Sequence, residues 1–130
     1  MLNKIVVSTE SRTEFIDITQ ELADAVKDKN NGLLVAYCPH TTAGLTINEG
    51  ADPAVKRDIL EVINKIVPWS FDYKHLEGNS PAHIKASLMG SSVTVIVEDG
   101  RLCLGTWQRV FFCEFDGPRT RSVWLKFLGD

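Results

Sequence analysis

The chain contains three histidines, and each lies in a loop or at the start of a predicted helix. His40 follows a short apolar strand, His75 lies in an irregular polar segment, and His83 is near a helix start. A helix N-terminus disfavours protonation of an imidazole, which suits a metal ligand or a general base. If the three imidazoles converge with the Glu77 carboxylate, they could hold a divalent metal such as zinc or magnesium. No standard zinc-binding spacing is present, so structural roles for the histidines stay open.

A second candidate is a carboxylate inside an apolar strand. Glu114 follows a Phe-Phe-Cys run, and strand alternation places it on the same face as Gln108. A carboxylate in apolar surroundings has a raised pKa unless a cation, a metal or a backbone amide stabilises its charge. The residue types therefore leave two roles open for Glu114. One is catalysis, and the other is a structural ion pair with Arg119 or Arg121.

Two polar segments could contribute ligand-binding groups. The hydroxyls of Thr41 and Thr42 could donate hydrogen bonds to a phosphate, although such residues are also typical of ordinary turns. Asn48 and Glu49 precede a helix entry and could either cap it or face a site. From Arg101 to the C-terminus, five basic residues against three acidic ones give a local charge of +2. This excess favours a local site for an anion.

The composition limits the classes of protein that fit. A chain of 130 residues with 44% hydrophobic and 24% charged residues predicts one soluble domain over 1–130. A net charge of −3 without basic runs argues against nucleic-acid binding, and no apolar run is long enough for a membrane helix. We expect no signal peptide, which predicts a cytoplasmic protein, and an odd number of cysteines without close pairing argues against a disulfide framework.

The elements that must position these residues follow from hydrophobic periodicity. The order of strands and helices lacks the alternation of a parallel α/β fold, and it predicts an α+β protein with mostly antiparallel sheets packed as a sandwich with flanking helices. The first two strands are expected to form a hairpin. The segments 93–97 and 110–115 are apolar on nearly every residue, which predicts strands buried on both faces and suggests an oligomer. We predict strands over 4–7, 14–18, 32–37, 43–48, 92–97, 102–104, 106–115 and 121–128, and helices from about 19, 53 and 82.

Five motifs, in this order, resemble those of the YjbQ-type family of small conserved proteins. They are PHTTAGLTINE at 39–49, ADP at 51–53, SPAHIKASL at 80–88, GTWQ at 105–108 and CEFDGPR at 113–119. The resemblance implies a homotrimeric α+β protein with sites near subunit boundaries. It also implies a secondary thiamine-phosphate synthase activity, a transfer that joins hydroxymethylpyrimidine diphosphate to thiazole phosphate and releases pyrophosphate.

The predicted site combines these motif positions with the residues identified above. Two alternatives use the same residues: a metal-dependent hydrolase of a phosphorylated small molecule, and a trimer that binds such a molecule without turnover. The role of Arg109 stays open. We predict His40, His83, Gln108 and Glu114 as catalytic residues, Thr41, Thr42, Asn48, Glu49 and Arg119 as ligand-binding residues, and His40, His75, Glu77 and His83 as metal ligands.

Overall fold

Two antiparallel sheets and three helices form the structure, a computed structural model that describes residues 3–130. The predicted α+β class is confirmed. The strands are β1 (Asn3–Ser8), β2 (Glu14–Asp17), β3 (Gly32–Tyr37), β4 (Ala43–Glu49), β5 (Ser92–Glu98), β6 (Arg101–Leu102), β7 (Gln108–Glu114) and β8 (Thr120–Gly129), and the helices are α1 (Thr19–Val26), α2 (Pro53–Ile66) and α3 (Ser80–Met89).

The strand order shows that most pairing is between segments far apart in the chain. The larger sheet has the order β1-β8-β3-β5-β6, and the smaller sheet has the order β2-β7-β4. The predicted opening hairpin is therefore wrong, because β1 pairs with β8 and β2 pairs with β7. The polar segment 9–13 carries no tight-turn signal, and it leads the chain from one sheet to the other.

The main core lies between the two sheets. Leu34 and Val95 of the larger sheet belong to one buried cluster with Leu45 and Phe112 of the smaller sheet, and Leu22 of α1 closes its edge. Burying such side chains contributes roughly 1.5–3 kcal/mol each, so this shared layer holds the sheets together.

Two strands, β5 and β7, were expected to be buried on both faces. Only β7 is buried in this way. In β7, Val110 and Phe112 face the main core, while Phe111 and Cys113 pack in a second cluster with Ala82 of α3. In β5, alternate residues face outward, and Ile96 is 55% exposed. The larger sheet thus has one apolar face that this chain leaves uncovered.

The start of α2 and the end of α3 show common capping features. The Asp52 carboxylate accepts a hydrogen bond of 2.9 Å from the Ala54 amide, and Pro53 begins α2. Helix α3 begins at Ser80, two residues before the predicted start, and its N-cap is Asn79. Its C-cap, Gly90, has a positive φ of 97°. Among residues 3–130, no helix is long and apolar enough to span a bilayer.

Helix α3 is fixed against β4 by close backbone packing. The Gly90 carbonyl accepts a hydrogen bond of 3.1 Å from the Leu45 amide. A Cβ atom on Gly44 would lie 2.6 Å from the same carbonyl oxygen. The absence of a side chain at Gly44 therefore lets the end of α3 approach the strand that follows His40, and this approach positions His83.

Candidate functional site

A cavity of about 650 Å³ opens between the segment after β3, the loop before α3 and the turn after β7. A neighbouring cavity of about 530 Å³ shares three of its lining residues and extends along α3 toward Gly90. We call the larger one the histidine pocket. Its walls include seven of the predicted site residues: His40, Thr41, Thr42, His75, Glu77, His83 and Arg119.

The His40 imidazole is held in a defined tautomer. Its Nε2 atom accepts a hydrogen bond of 3.0 Å from the Ser122 amide. Its pKa is lowered, mainly because burial removes water from the ring and also because the Arg121 guanidinium repels a second proton. A neutral ring that accepts through Nε2 carries its proton on Nδ1. His40 therefore presents an N–H donor, which is not the state of a metal ligand.

The carboxylate of Glu114 lies behind the pocket wall. It is fully buried and accepts hydrogen bonds from Arg121 Nε at 2.9 Å, Thr9 Oγ1 at 2.8 Å and the Asp116 amide at 3.0 Å. Burial raises the pKa of Glu114, but these donors outweigh it and hold the pKa below its ordinary value. Of the two roles left open for Glu114, the structure supports the structural ion pair and not catalysis. Its partner is Arg121, and the carboxylate does not line the pocket.

Arg121 connects this buried pair to the wall of the pocket. Its Nη2 donates to Thr42 Oγ1 at 2.8 Å and to the Thr42 carbonyl at 3.3 Å. Thr42 is 5% exposed, so its hydroxyl serves the network rather than a ligand, contrary to prediction. Thr41 is exposed in the pocket wall, and its hydroxyl has no partner among residues 3–130. Of the two predicted hydroxyls, only that of Thr41 is available to a ligand.

His75 and His83 form a pair in the wall of the pocket. Their ring centroids are 5.2 Å apart, and the ring planes are nearly perpendicular at 89°. Glu77 lies in the same exposed loop as His75. Within residues 3–130, however, no three His, Cys, Asp or Glu side chains are arranged to hold a metal. The proposed ligand set therefore does not fit a preformed metal centre, and a metal here stays a prediction.

A second polar cluster lines the pocket beside α3. Arg119 Nε donates to the Asp116 carbonyl at 2.9 Å, and its Nη2 donates to the Asp116 carboxylate at 3.1 Å. Asn79 Nδ2 donates to the same carboxylate at 2.9 Å. A guanidinium has five N–H donors, so Arg119 keeps three for a ligand. Asn79 and Asp116 were not predicted, and Arg121 was predicted only as a possible partner of Glu114, although all three lie within or beside the motifs.

Three predicted residues lie away from the histidine pocket. Glu49 is opposite Gln108 in the register of β4 and β7, at the far end of the strand from Glu114. Gln108 and Glu114 are six steps apart along the strand, or about 20 Å. The Gln108 carboxamide accepts from the Gly105 amide at 2.8 Å, and the Glu49 carboxylate accepts from the Asp52 amide at 3.2 Å. These two, and Asn48 beside them, do not share the pocket within one chain.

Arg109, whose role the sequence leaves open, lies next to Gln108 at the start of β7. Arg109 Nε donates to the Asp17 carboxylate at 2.7 Å, and both side chains are partly exposed. Burial raises the pKa of Asp17, but hydrogen bonds from Arg109 and Thr19 outweigh this effect and hold the pKa below its ordinary value. Arg109 thus forms a surface ion pair between β7 and the end of β2, outside the histidine pocket.

Taken together, the fold and the site define a small α+β protein with a histidine- and arginine-lined pocket where two antiparallel sheets and a helix meet. The model of the UPF0047 protein YjbQ-like family matches residues 3–130. The chain belongs to this family.

Individual relatives agree with this assignment over the whole chain. A UPF0047 protein of Methanocaldococcus jannaschii is 50% identical over 132 residues, covering 100% of this chain and 96% of the relative. The UPF0047 protein YugU of Bacillus subtilis is 50% identical, covering 99% of this chain and 100% of YugU. A crystal structure of an uncharacterised YjbQ/UPF0047 protein from Clostridium acetobutylicum has a TM-score of 0.94 at 54% identity, covering 97% and 99% of the chains.

Proposed function

We propose that the histidine pocket binds a phosphorylated small molecule and catalyses a transfer of the thiamine-phosphate synthase type. The observation that carries the proposal is the convergence of His40, His75, His83 and Arg119 on one cavity. At about 650 Å³, the cavity has the size of a typical small-molecule site. The motif resemblance supplies the choice of reaction.

In the proposed reaction, the nitrogen of thiazole phosphate attacks the methylene carbon of hydroxymethylpyrimidine diphosphate. A carbon–nitrogen bond forms, the bond from that carbon to the diphosphate oxygen breaks, and pyrophosphate leaves with both electrons. The protein then has little covalent work to do. Its tasks are to hold the reactants in line and to stabilise negative charge on the leaving group.

The pocket contains donors for the second task. The Nδ1–H of His40, the hydroxyl of Thr41 and the unused N–H groups of Arg119 can donate to phosphate oxygens. His83 or His75 can supply a proton to the departing pyrophosphate. Because His40 is a fixed neutral donor, it binds the charge without losing a proton.

We also propose that the protein is the homotrimer that the resemblance implies. The uncovered face of the larger sheet supports association, because Leu33 is opposite Ile96 on one side and Leu128 on the other. These side chains are 42%, 55% and 50% exposed. A contiguous apolar patch of this kind is typical of an interaction surface. Contact between chains could bring Gln108 or Glu49 of one chain toward the pocket of another.

A reducing compartment suits the three cysteines, which are free thiols in the structure. Cys38 and Cys113 are buried, and burial raises the pKa of both thiols. They are therefore unreactive core residues. We propose a cytoplasmic protein that acts on small molecules and not on nucleic acids or membranes.

The deciding experiment measures pyrophosphate release from the two phosphorylated substrates, using Arg119→Gln with Arg109→Gln as a matched control. Both arginines are exposed at the surface, with side chains 49% and 44% exposed, and each is paired with an aspartate. Only Arg119 lines the pocket. Loss of a charged hydrogen bond should reduce kcat/KM about ten- to hundredfold in Arg119→Gln. Arg109→Gln should remain within about twofold of wild type.

Other outcomes distinguish the alternatives. Release of phosphate in the absence of the thiazole substrate would favour a hydrolase. Saturable substrate binding in equilibrium dialysis without turnover would favour a binding protein. Equal activity of the two variants would contradict the assignment of the reaction to the histidine pocket. Elemental analysis of the untagged protein, beside His75→Ala and His83→Ala, tests the predicted metal.

A further inference from the structure

A smaller cavity of about 250 Å³ lies on the other side of α3 from the histidine pocket. We call it the lysine pocket. Arg12 and Thr13 line it from the segment between β1 and β2, Asn64 from α2, Trp69 from the following loop, and Lys85 from α3. Successive helix residues are rotated by about 100°, so Lys85 points about 200° away from His83. No predicted site residue lines this pocket.

Lys85 is an unusual side chain for a buried position. It is 2% exposed, although lysine is almost never fully buried without a charged partner. Its ammonium donates a hydrogen bond to the Asn64 carboxamide and lies 5.7 Å from the centre of the Trp69 ring. One of three N–H donors is thus satisfied by a protein oxygen.

The same pocket contains a second cation and no carboxylate. The guanidinium of Arg12 lies 4.3 Å from the centre of the Trp69 ring. Among residues 3–130, neither Arg12 nor Lys85 forms an ion pair. Burial lowers the pKa of Lys85, and repulsion by the Arg12 guanidinium lowers it further. Two cations therefore share one cavity without a counter-charge, which is an unfavourable arrangement for a buried group.

We propose that the lysine pocket is a second ligand site, which binds a small oxyanion between Lys85 and Arg12. The Arg12 guanidinium can bind two oxygens of a phosphate or carboxylate side by side, while the Lys85 ammonium acts as a point charge. Trp69 supplies an apolar wall for the rest of the ligand. The anion neutralises the charge that the protein leaves unpaired, and it occupies a site separate from the proposed reaction.

The test uses the tryptophan of the pocket as its probe. In the Trp107→Phe/Trp124→Phe variant, Trp69 is the sole tryptophan, so its fluorescence reports on the lysine pocket alone. Inorganic phosphate, acetate and chloride are titrated separately at constant ionic strength. Saturable change with phosphate alone identifies a phosphate site, and saturable change with phosphate and acetate identifies a general oxyanion site. Either result supports the proposal.

Four further substitutions in this background locate the bound anion. Lys85→Met and Arg12→Gln should each weaken the apparent affinity about tenfold, as expected for loss of a charged hydrogen bond. Arg57→Gln removes an exposed charge from α2, and Arg119→Gln alters the histidine pocket. Both should titrate within about twofold of the background protein.

Three results would overturn the proposal. One is no saturable change with either oxyanion, and another is an equal change with chloride. The third is unaltered titration of Arg12→Gln, whose exposed side chain can be changed without disturbing the core. Because Arg119→Gln tests the other pocket, failure of the proposed reaction and failure of the oxyanion site give different results.

Discussion

Removing the charge of Glu114 tests the central interaction of the structure. Glu114→Gln keeps the shape of the side chain but leaves Arg121, which is 3% exposed, without an anionic partner. Breaking a buried pair in this way costs about 3–5 kcal/mol of the free energy of unfolding. For a chain of this size, that cost corresponds to a fall in Tm of roughly 10–20 °C. Asp17→Asn is the control, because its pair with Arg109 is partly exposed and should contribute about 1 kcal/mol or less.

The effect should depend on pH in a defined direction. Because the pKa of Glu114 in the folded state is lowered from 4.5, its ionised form stabilises the fold at every pH above that ordinary value. This stabilisation is lost as pH falls below 4.5 and through the lowered pKa of the folded state. The difference between wild type and Glu114→Gln should therefore be largest at neutral pH and should shrink in acid.

Urea unfolding followed by circular dichroism, at a fixed protein concentration, measures both the free energy of unfolding and its dependence on pH. Comparing Glu114→Met/Arg121→Met with Glu114→Met then separates the unpaired charge from the lost packing. The double variant should be the more stable of the two, because no charge is left buried. The reasoning would be refuted if Glu114→Gln were no less stable than Asp17→Asn, or if its deficit did not change with pH.

Three further predictions concern the pocket and the surface. Because the pKa of His40 in the folded state is lowered from 6.5, the wild-type protein should lose stability as pH falls below that value. His40→Asn should lose less stability over the same range, as measured by urea unfolding between about pH 5 and 8. Gly44→Ala should cost about 1–3 kcal/mol, since its Cβ would meet the Gly90 carbonyl, while Gly105→Ala faces a movable side chain and should cost less in the same assay. Leu33→Asp should convert the proposed trimer to single chains of 14.5 kDa in light scattering, and an unchanged mass would exclude this face as the interface.

Local features of the fold could be predicted, because their causes are local. Asp52 followed by Pro53 is a typical helix start, and α2 begins there. Asp99-Gly100 is a typical hairpin pair, and it forms the turn between β5 and β6, where both residues have positive φ. The partners of β1 and β2 could not be predicted in this way. Alternation tells which face of a strand is buried, but it does not tell which distant strand completes the sheet.

The site shows the same division between residue type and partner. The sequence indicated a buried carboxylate that needs a cation, and the structure selected Arg121 over Arg119. The three histidines were expected from the sequence to converge, and they line one cavity. The sequence could not reveal that the Ser122 amide donates a hydrogen bond to His40 Nε2. That contact depends on the pairing of the last strand with β3, a long-range feature.

The hydrogen bonds that run from Glu114 through Arg121 to Thr42 link the stability of the core to the wall of the histidine pocket. Glu114 pairs with Arg121, Arg121 donates a hydrogen bond to Thr42, and β8, which contains Arg121, also supplies the Ser122 amide that donates to His40. A charge lost in the core should therefore disturb the tautomer and position of His40 at the pocket wall. Because His83 lies outside this network, His83→Ala should impair the proposed reaction and leave the fold stable. Glu114→Gln should weaken both, and a variant that lost stability while keeping full activity would show that the network does not position His40.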